Sequence, residues 1–315
     1  VSSSNTAEGT VSPSSVTFTS GNWNTPQTVT ITGVDDFLVD GAVSYSIVTA
    51  AATSSDGNYS SVNASDVSVT NTDNDAAGIT VTPTSGLTTT EAGGTATFTV
   101  VLTSQPTANV TVGLTSSNTA EGTVSPSSVT FTSGNWNTPQ TVTITGVDDF
   151  LVDGAVAYTI VTAAATSSDL NYSGLNASDV SVTNTDNDAA GITVTPTSGL
   201  TTTEAGGTAT FTIVLTSQPT SNVAIGLSSS NTAEGTVSPS SVTFTSVNWN
   251  TPQTVTVTGV DDFLVDGAVA YTIVTAAAPT LSDSVVRHAR DTSSTCSSAR
   301  VPCAAKSGVG RAPDS

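Results

Sequence analysis

Between residues 76 and 188 the chain repeatedly alternates apolar residues with Ser or Thr, a period of two that is typical of half-buried strands. In "TATFTVVLT" the apolar residues Ala96, Phe98, Val100 and Leu102 share one face, and mostly Thr takes the other. The same pattern begins again at or near Gly78, Val110, Val129, Val142, Val156 and Val180. Seven short strands separated by Gly, Pro and acidic turns, with no helical periodicity, predict an all-β fold: an immunoglobulin-like sandwich of seven antiparallel strands, A to G.

The whole pattern recurs along the chain. The string "SSNTAEGTVSPSSVTFTS" places its Asn at Asn5, Asn118 and Asn231, a spacing of 113 residues each time. This period is too long for one turn of a solenoid and close to the size of one domain, so it predicts tandem β-sandwiches, each with its own core. We expect the C-terminal part of a repeat at 1–75, a complete repeat at 76–188, and a repeat without its last strand at 189–278.

Residues 279–315 depart from the repeat and contain both Cys, the only His and all five basic residues. By the period, the acids of strand G should recur at 299 and 301, where Ala299 and Val301 stand. We expect this tail to be disordered or poorly packed, as after a reading-frame shift or chimeric join. A genuine processed C-terminus is the alternative. His288, Cys296 and Cys303 match no zinc-ligand spacing.

Charge is equally one-sided, because all but three of the 25 acidic residues lie in residues 1–278 and no Lys, Arg or His does. Such a chain repels nucleic acid and anionic membranes, which excludes both as partners and leaves a metal cation as the expected one. The lack of Cys, Met and Lys in the same residues is typical of a secreted bacterial protein. We therefore expect an extracellular, secreted or cell-surface location, with no membrane insertion by this segment.

The predicted strand order places most of these acids at one end of each sandwich. Successive strands run in opposite directions, so the A–B, C–D and E–F connections and the end of strand G share one end. Several carboxylates within about 4 Å repel one another by roughly 1 kcal/mol per pair in water, and more strongly near a protein surface. Calcium takes about six to eight oxygen ligands of this kind, which makes Ca²⁺ the predicted cofactor.

The predicted metal ligands occupy equivalent positions in the three repeats. In the first repeat they are Glu8, Asp35, Asp36, Asp40, Asp73 and Asp75; in the second Glu91, Glu121, Asp148, Asp149, Asp153, Asp186 and Asp188; and in the third Glu204, Glu234, Asp261, Asp262 and Asp266. The alternative is that each Asp-Gly pair is only a solvated turn, which suffices for Asp153-Gly154 taken alone. An EF-hand is excluded, because Leu151 and Ile160 stand where its third and twelfth positions require oxygen ligands.

Three segments of the complete repeat resemble bacterial Calx-beta repeats: "TTTEAGGTATFTVVL", "SSVTFTSGNWNTPQTVTITGVDDF" and "DVSVTNTDND". The last also resembles the calcium-binding linkers between cadherin domains. The resemblance implies a seven-stranded sandwich that binds Ca²⁺ at one end through Glu91, Asp148, Asp149 and Asp186, with Asp188 beside them. The further acids of calcium-sensing members of the family are missing here, which implies fewer or weaker sites.

These observations predict a calcium-binding structural repeat region of a bacterial surface protein, an adhesin-type stalk whose junctions Ca²⁺ stiffens. The alternatives are a carbohydrate- or protein-binding module that uses Trp136, and an inert spacer of an extracellular hydrolase. For Trp23, Trp136 and Trp249 the structural interpretation, a side chain covering the edge of the core, is favoured. Residues 1–278 contain no His, Cys or Lys, so we expect no enzyme activity.

Overall fold

The computed structural model of the protein describes residues 1–276 and 294–296. These residues form two compact units, one of 1–148 with 155–185, the other of 149–154 with the residues from 186 onward. The described residues contain strands and no helix, and so no helix that is long and apolar enough to cross a membrane. The prediction of an all-β protein built from immunoglobulin-like sandwiches is confirmed.

The first unit holds the first two repeats. The first repeat has five strands: β1 (Ser2–Ser3), β2 (Gly9–Ser12), β3 (Thr30–Gly33), β4 (Val43–Val48) and β5 (Val67–Asn71). The second repeat has nine: β6 (Ile79–Thr82), β7 (Leu87–Thr90), β8 (Thr95–Leu102), β9 (Val110–Ser116), β10 (Gly122–Ser125), β11 (Ser128–Phe131), β12 (Gln140–Gly146), β13 (Val156–Thr162) and β14 (Val180–Thr185).

Two sheets enclose the core of the second repeat. Their strand orders are β10-β12-β8-β6 and β11-β9-β13-β14-β7, and every pairing is antiparallel except that of β7 with β14. Phe98 on β8 and Val142 on β12 face Phe131 on β11 and Ile160 on β13, and all four side chains are almost wholly buried. The apolar residues of the period-two pattern therefore form the interior, as expected for a sandwich.

Nine strands replace the seven predicted for this repeat, because two segments each divide between the sheets. β6 pairs with β8, whereas β7 crosses to β14, and β10 pairs with β12, whereas β11 pairs with β9. Pro83 and Pro126 stand at the two breaks. Proline has no backbone N–H to give to a ladder, so the chain leaves one sheet there and joins the other.

The second unit contains the third repeat. Its strands are β15 (Ile192–Thr195), β16 (Thr208–Leu215), β17 (Val223–Ser229), β18 (Gly235–Ser238), β19 (Ser241–Phe244), β20 (Gln253–Gly259), β21 (Tyr271–Thr275) and β22 (Ser294–Cys296). They form sheets of order β15-β16-β20-β18 and β19-β17-β21-β22 around a core that includes Phe211, Phe244 and Ile273.

β22 lies beyond residues 189–278, so the expectation that the third repeat lacks a last strand of its own stays a prediction. β22 pairs with β21 from Ile273 to Tyr271, the position that β14 takes beside β13 in the second repeat. A backbone ladder needs N–H and C=O groups rather than a particular side-chain sequence, so a short segment outside the repeat pattern can supply it. The rest of the prediction for 279–315 falls outside the described residues.

Gly146 at the end of β12 lies where two strands approach closely. A Cβ there would overlap the carbonyl oxygen of Thr90, whose position is fixed by the ladder between β7 and β14. We expect Gly146→Ala to lower the free energy of unfolding by about 1–3 kcal/mol, because backbone atoms must shift to admit the methyl group. Urea unfolding followed by circular dichroism would measure the change.

Gly134→Ala is the matched control, because the nearest atom to a Cβ at that position is 3.8 Å away. It should leave the urea midpoint close to that of the unchanged protein. Equal midpoints for the two variants would contradict the close approach at Gly146.

Candidate metal centre

The first repeat brings its six predicted ligands to one small cleft. Glu8, Asp35, Asp36, Asp40, Asp73 and Asp75 all line it, together with other residues of the loop between β3 and β4, which is the predicted E–F connection and is called the E–F loop, and of the segment after β5. One carboxylate oxygen from each of Glu8, Asp36 and Asp40 lies within 4.8 Å of the other two. We call this group of six residues the acidic cleft.

Backbone groups hold the carboxylates of the acidic cleft in place. Asp36 accepts a hydrogen bond from the N–H of Leu38 at 3.0 Å. Asp73 accepts one from Gly41 at 2.9 Å and another from Asp75 at 2.7 Å, so it joins the E–F loop to the segment that leads into the second repeat. These bonds use only part of the acceptor capacity of the oxygens, and the remainder is of the kind that a hard cation accepts.

Asn71 is a positioning residue that the sequence analysis missed. Its Nδ2 donates to Glu8 Oε2 at 3.3 Å and to the carbonyl oxygen of Val34 at 2.9 Å, and so orients a buried carboxylate toward the cleft. In the second repeat Asn184 donates in the same way to Glu121 and to Val147. The signal was present, because the alternation of β14 places Asn184 on the same buried face as Val180 and Val182.

The predicted ligands of the second repeat divide between the two units. Glu91, Glu121 and Asp148 belong to the first unit, where both glutamates are buried. Asp149, Asp153, Asp186 and Asp188 belong to the second, where Asp186 accepts hydrogen bonds from the N–H groups of Gly154 at 2.8 Å and Asp188 at 2.6 Å. These two hydrogen bonds to Asp186 correspond to those that the N–H groups of Gly41 and Asp75 donate to Asp73 in the first repeat.

The third repeat gathers three of its five predicted ligands. Oxygens of Glu234, Asp262 and Asp266 lie within 4.8 Å of one another. Glu204 shares a separate cleft with Glu234, beside Tyr271. Asp261 is not part of the group of three, and it accepts a hydrogen bond from the N–H of Phe263 at 3.0 Å.

Burial and mutual repulsion disturb the ionisation of these groups. Burial, followed by the charges of Asp35, Asp73, Asp36 and Asp40, raises the pKa of Asp75 above its ordinary value of 3.8. Burial also raises the pKa of Asp153, helped by Asp149 and Asp186, and that of Glu234, helped by Asp266, Asp262 and Glu204. Asp73 differs, because hydrogen bonds from Asp75 and Gly41 lower its pKa. Residues 1–278 contain no Lys, Arg or His that could offset this repulsion between carboxylates.

The E–F loop that carries Asp36 and Asp40 also contacts the second repeat. The ring of Phe37 lies against that of Trp136, with centroids 5.9 Å apart and planes at 43°. The N–H of Gln105 donates to the carbonyl oxygen of Phe37 at 2.8 Å, and Asn171 Nδ2 donates to that of Val39 at 3.0 Å. We call residues 37–39 the loop tip, and Trp136 with Gln105 and Asn171 the tip seat.

The second unit contains the same contact. The rings of Phe150 and Trp249 have centroids 5.8 Å apart and planes at 45°, and Gln218 N–H donates to the carbonyl oxygen of Phe150 at 2.8 Å. Trp136 and Trp249 also pack against the cores of their own repeats, as the structural interpretation expected, whereas Trp23 is 70% exposed and does not. The repetition of "DDFLVD" is evident from the sequence, but the surface that its apolar residues contact is not.

No family model matches the sequence, and no curated protein does. Among solved structures, calcium binding domain CBD12 of CALX1.1 is 15% identical, with 63% of this chain and 79% of that chain covered at a TM-score of 0.31. CBD12 from CALX1.2 is 14% identical over 64% of this chain and 82% of that one, at 0.29. Domains 4 and 5 of the S-layer protein SbsC are 17% identical over 59% and 74%, also at 0.29. The likeness to the Calx domains is thus a distant one of fold.

Asn184 should be essential to the stability of the second repeat. Asn184→Asp replaces the donor facing Glu121 and the Val147 carbonyl with another acceptor, and adds a buried negative charge. We expect a loss of at least about 2 kcal/mol in the free energy of unfolding, seen as a lower urea midpoint in the presence of chelator. Asn63→Asp adds the same charge at an exposed position and should change the midpoint little. A similar fall in both would contradict the role of Asn184.

The raised pKa values of Asp75, Asp153 and Glu234 predict that stability without divalent cations falls as pH rises. Between the ordinary pKa values and the raised ones the folded chain binds more protons than the unfolded chain, so deprotonation destabilises it. Thermal melts in chelator should therefore show a Tm that falls as the pH rises from the ordinary carboxyl pKa values through the raised ones. Added salt should weaken the trend. A Tm that rises over this interval would contradict the repulsion.

Proposed function

We propose that this chain is a calcium-binding structural region of a bacterial extracellular or surface protein, an adhesin-type stalk in which Ca²⁺ stiffens the junctions between repeats. The observation that carries the proposal is the acidic cleft of the first repeat, where six carboxylates share one small space and residues 1–278 offer no cation to neutralise them. An oxygen-only donor set of this charge fits calcium better than zinc or copper, which prefer nitrogen or sulfur.

Glu8, Asp36 and Asp40 would hold the ion, with Asp73 and Asp75 at the same cleft. The ion supplies positive charge that removes the repulsion between these carboxylates. Asp36 and Asp40 immediately flank the loop tip, so an ion that fixes them also fixes the segment that contacts Trp136. Asp73 holds the chain just before the second repeat begins. One loop thus couples cation binding to the junction.

The extracellular location and the absence of catalysis are parts of the same proposal. Calcium outside cells reaches the concentrations at which extracellular modules of roughly 0.1–1 mM affinity are occupied. The first 278 residues contain no His, Cys or Lys that could act as a base or a nucleophile, and the carboxylates recur in each repeat rather than in one cleft.

Trp136 supports this role more than that of a carbohydrate-binding module. Its ring packs against the core of its own repeat and against Phe37, so it is only partly exposed for stacking on a sugar. An inert spacer would differ from the proposed function only in not binding calcium, so the effect of calcium on the melting temperature distinguishes the two.

We expect calcium to raise the melting temperature of the full chain. A site with a Kd of about 0.1–1 mM contributes about 1.4–2.7 kcal/mol at about 10 mM Ca²⁺, which corresponds to a rise of several degrees. Differential scanning calorimetry with calcium and again with chelator would measure it. An unchanged melting temperature would leave only the spacer role.

Calorimetric titration then tests which residues bind the ion. Asp36→Asn with Asp40→Asn should reduce the number of calcium ions bound per chain, or weaken one class of site by roughly tenfold or more, because the charge of the ligands sets affinity. Asp56→Asn is the matched control, since Asp56 is exposed, lies outside the cleft, and has a carboxylate that accepts hydrogen bonds from the neighbouring Asn58. Equal binding by the two variants would show that the acidic cleft is not the site.

A further inference from the structure

The E–F loops of the first two repeats each contain an Asp-Gly pair just before the next strand begins. The pairs are Asp153-Gly154 and Asp40-Gly41, and all four residues are exposed. Gly154 and Gly41 have φ angles of 79° and 76°, and no atom outside the neighbouring residues lies within 4 Å of the position that a Cβ would take on either glycine. The backbone nitrogen after each aspartate is therefore open to approach, because glycine has no Cβ of its own.

An aspartate that precedes glycine is subject to a spontaneous rearrangement. The glycine nitrogen attacks Cγ of the aspartate, and the N–H proton and the OH of the protonated carboxyl group leave together as water. The product is a five-membered succinimide ring. Water then opens the ring at either carbonyl and gives aspartate or isoaspartate. In isoaspartate the chain continues through Cγ, so the backbone gains a carbon atom and the carboxylate stands on a shorter arm.

A second aspartate holds the attacking nitrogen in each loop. The N–H of Gly154 donates to Asp186 Oδ2 at 2.8 Å, and that of Gly41 donates to Asp73 Oδ2 at 2.9 Å. Attack on Cγ requires the nitrogen to give up this charge-assisted bond, and the negative acceptor opposes loss of the N–H proton. The acceptor is itself fixed, because the N–H of Asp188 donates to Asp186 Oδ1 at 2.6 Å.

We propose that the Asp-Gly pairs of these two loops are sites of isomerisation, and that Asp186 and Asp73 slow the reaction by holding the glycine nitrogens. The same arrangement occurs in both repeats, which is what carries the proposal. A cation bound through Asp40 slows the reaction further, because ring closure must expel a carboxylate oxygen that the cation holds; this last part rests on the proposed function. A loop that ages without the ion then binds it less well, since its carboxylate arm is shorter.

Ageing of the full chain in chelator, in neutral buffer well below the melting temperature, tests the restraint. Peptide mapping with electron-transfer fragmentation distinguishes isoaspartate from aspartate at each position. Asp186→Ala should raise isoaspartate at Asp153 by about two- to tenfold, the factor that one hydrogen bond contributes, and leave Asp40 as it is in the unchanged chain. Asp73→Ala should do the reverse, so each chain contains its own control. An increase at neither site, or an equal increase at both, would overturn the proposal.

Two further positions test the chemistry. Asp153→Glu keeps the charge but requires a larger ring, so isomerisation at this position should disappear while that at Asp40 continues. Asp149 is followed by Phe150, whose Cβ obstructs the nitrogen, and it should remain aspartate. As much isoaspartate at Asp149 as at Asp153 would contradict the requirement for glycine.

Ageing in calcium tests the part that rests on the proposed function. For a Kd of about 0.1–1 mM, isoaspartate at Asp40 should fall by about tenfold or more at about 10 mM Ca²⁺, because few chains are then without the ion. An unchanged rate in a chain that calorimetric titration shows to bind calcium would overturn the effect of the cation. A chain that binds no calcium would overturn the proposed function, and the comparison in chelator would still decide whether Asp186 and Asp73 restrain the reaction.

Discussion

Repulsion between carboxylates is the constraint on which the rest of this structure depends. Each of the first two repeats folds so that a buried glutamate, Glu8 or Glu121, lies at the end of the sandwich where the E–F loop begins. With no basic residue in the first 278, the chain can offset these charges only through hydrogen bonds and through ions from solution. The positions of Asn71 and Asn184, and the raised pKa of Asp75, follow from that restriction.

Hydrogen bonds meet this constraint in part. Asn71, the last residue of β5, donates hydrogen bonds to the carboxylate of Glu8 and to the carbonyl oxygen of Val34, where the E–F loop begins. One side chain therefore fixes both the buried glutamate and the start of the loop. Aspartate at the start of the next segment accepts from Gly41, or in the second unit from Gly154, and limits the path of the same loop. The loop is thus held from both sides. The left-handed backbone of Phe37, Phe150 and Phe263 accompanies a hydrogen bond that all three loops share, from the N–H of the Leu after the Phe to the Asp before it.

The sequence predicted the class of fold and, in the first repeat, that the acids come together. The alternation of apolar and polar residues along β8, β12 and β13 indicates directly which side chains are buried, and the period of 113 residues indicates the repeated domain. The splitting of strands at Pro83 and Pro126 was not predicted, because short Thr-rich segments such as "LTTT" carry no clear alternation. The prediction did not include Asn184, because the strand pattern was taken from the apolar residues alone, although the alternation along β14 places Asn184 on the same buried face as Val180 and Val182.

The contacts of the loop tips cannot be predicted from the repeat period or from the alternation of residues along a strand. Phe37, Leu38 and Val39 would be expected in a core if only their hydropathy were considered, yet they lie in a loop between two acidic residues and contact a different repeat. Acids on either side of the tip keep it at the surface, and the backbone bonds of those acids keep it in shape. A segment can therefore be apolar, exposed and ordered at once, provided that flanking charges oppose its burial within its own repeat. Acids also flank Phe263, Leu264 and Val265 of the third repeat, which are exposed in the described part of the chain, and Phe263 has the same left-handed backbone as Phe37 and Phe150.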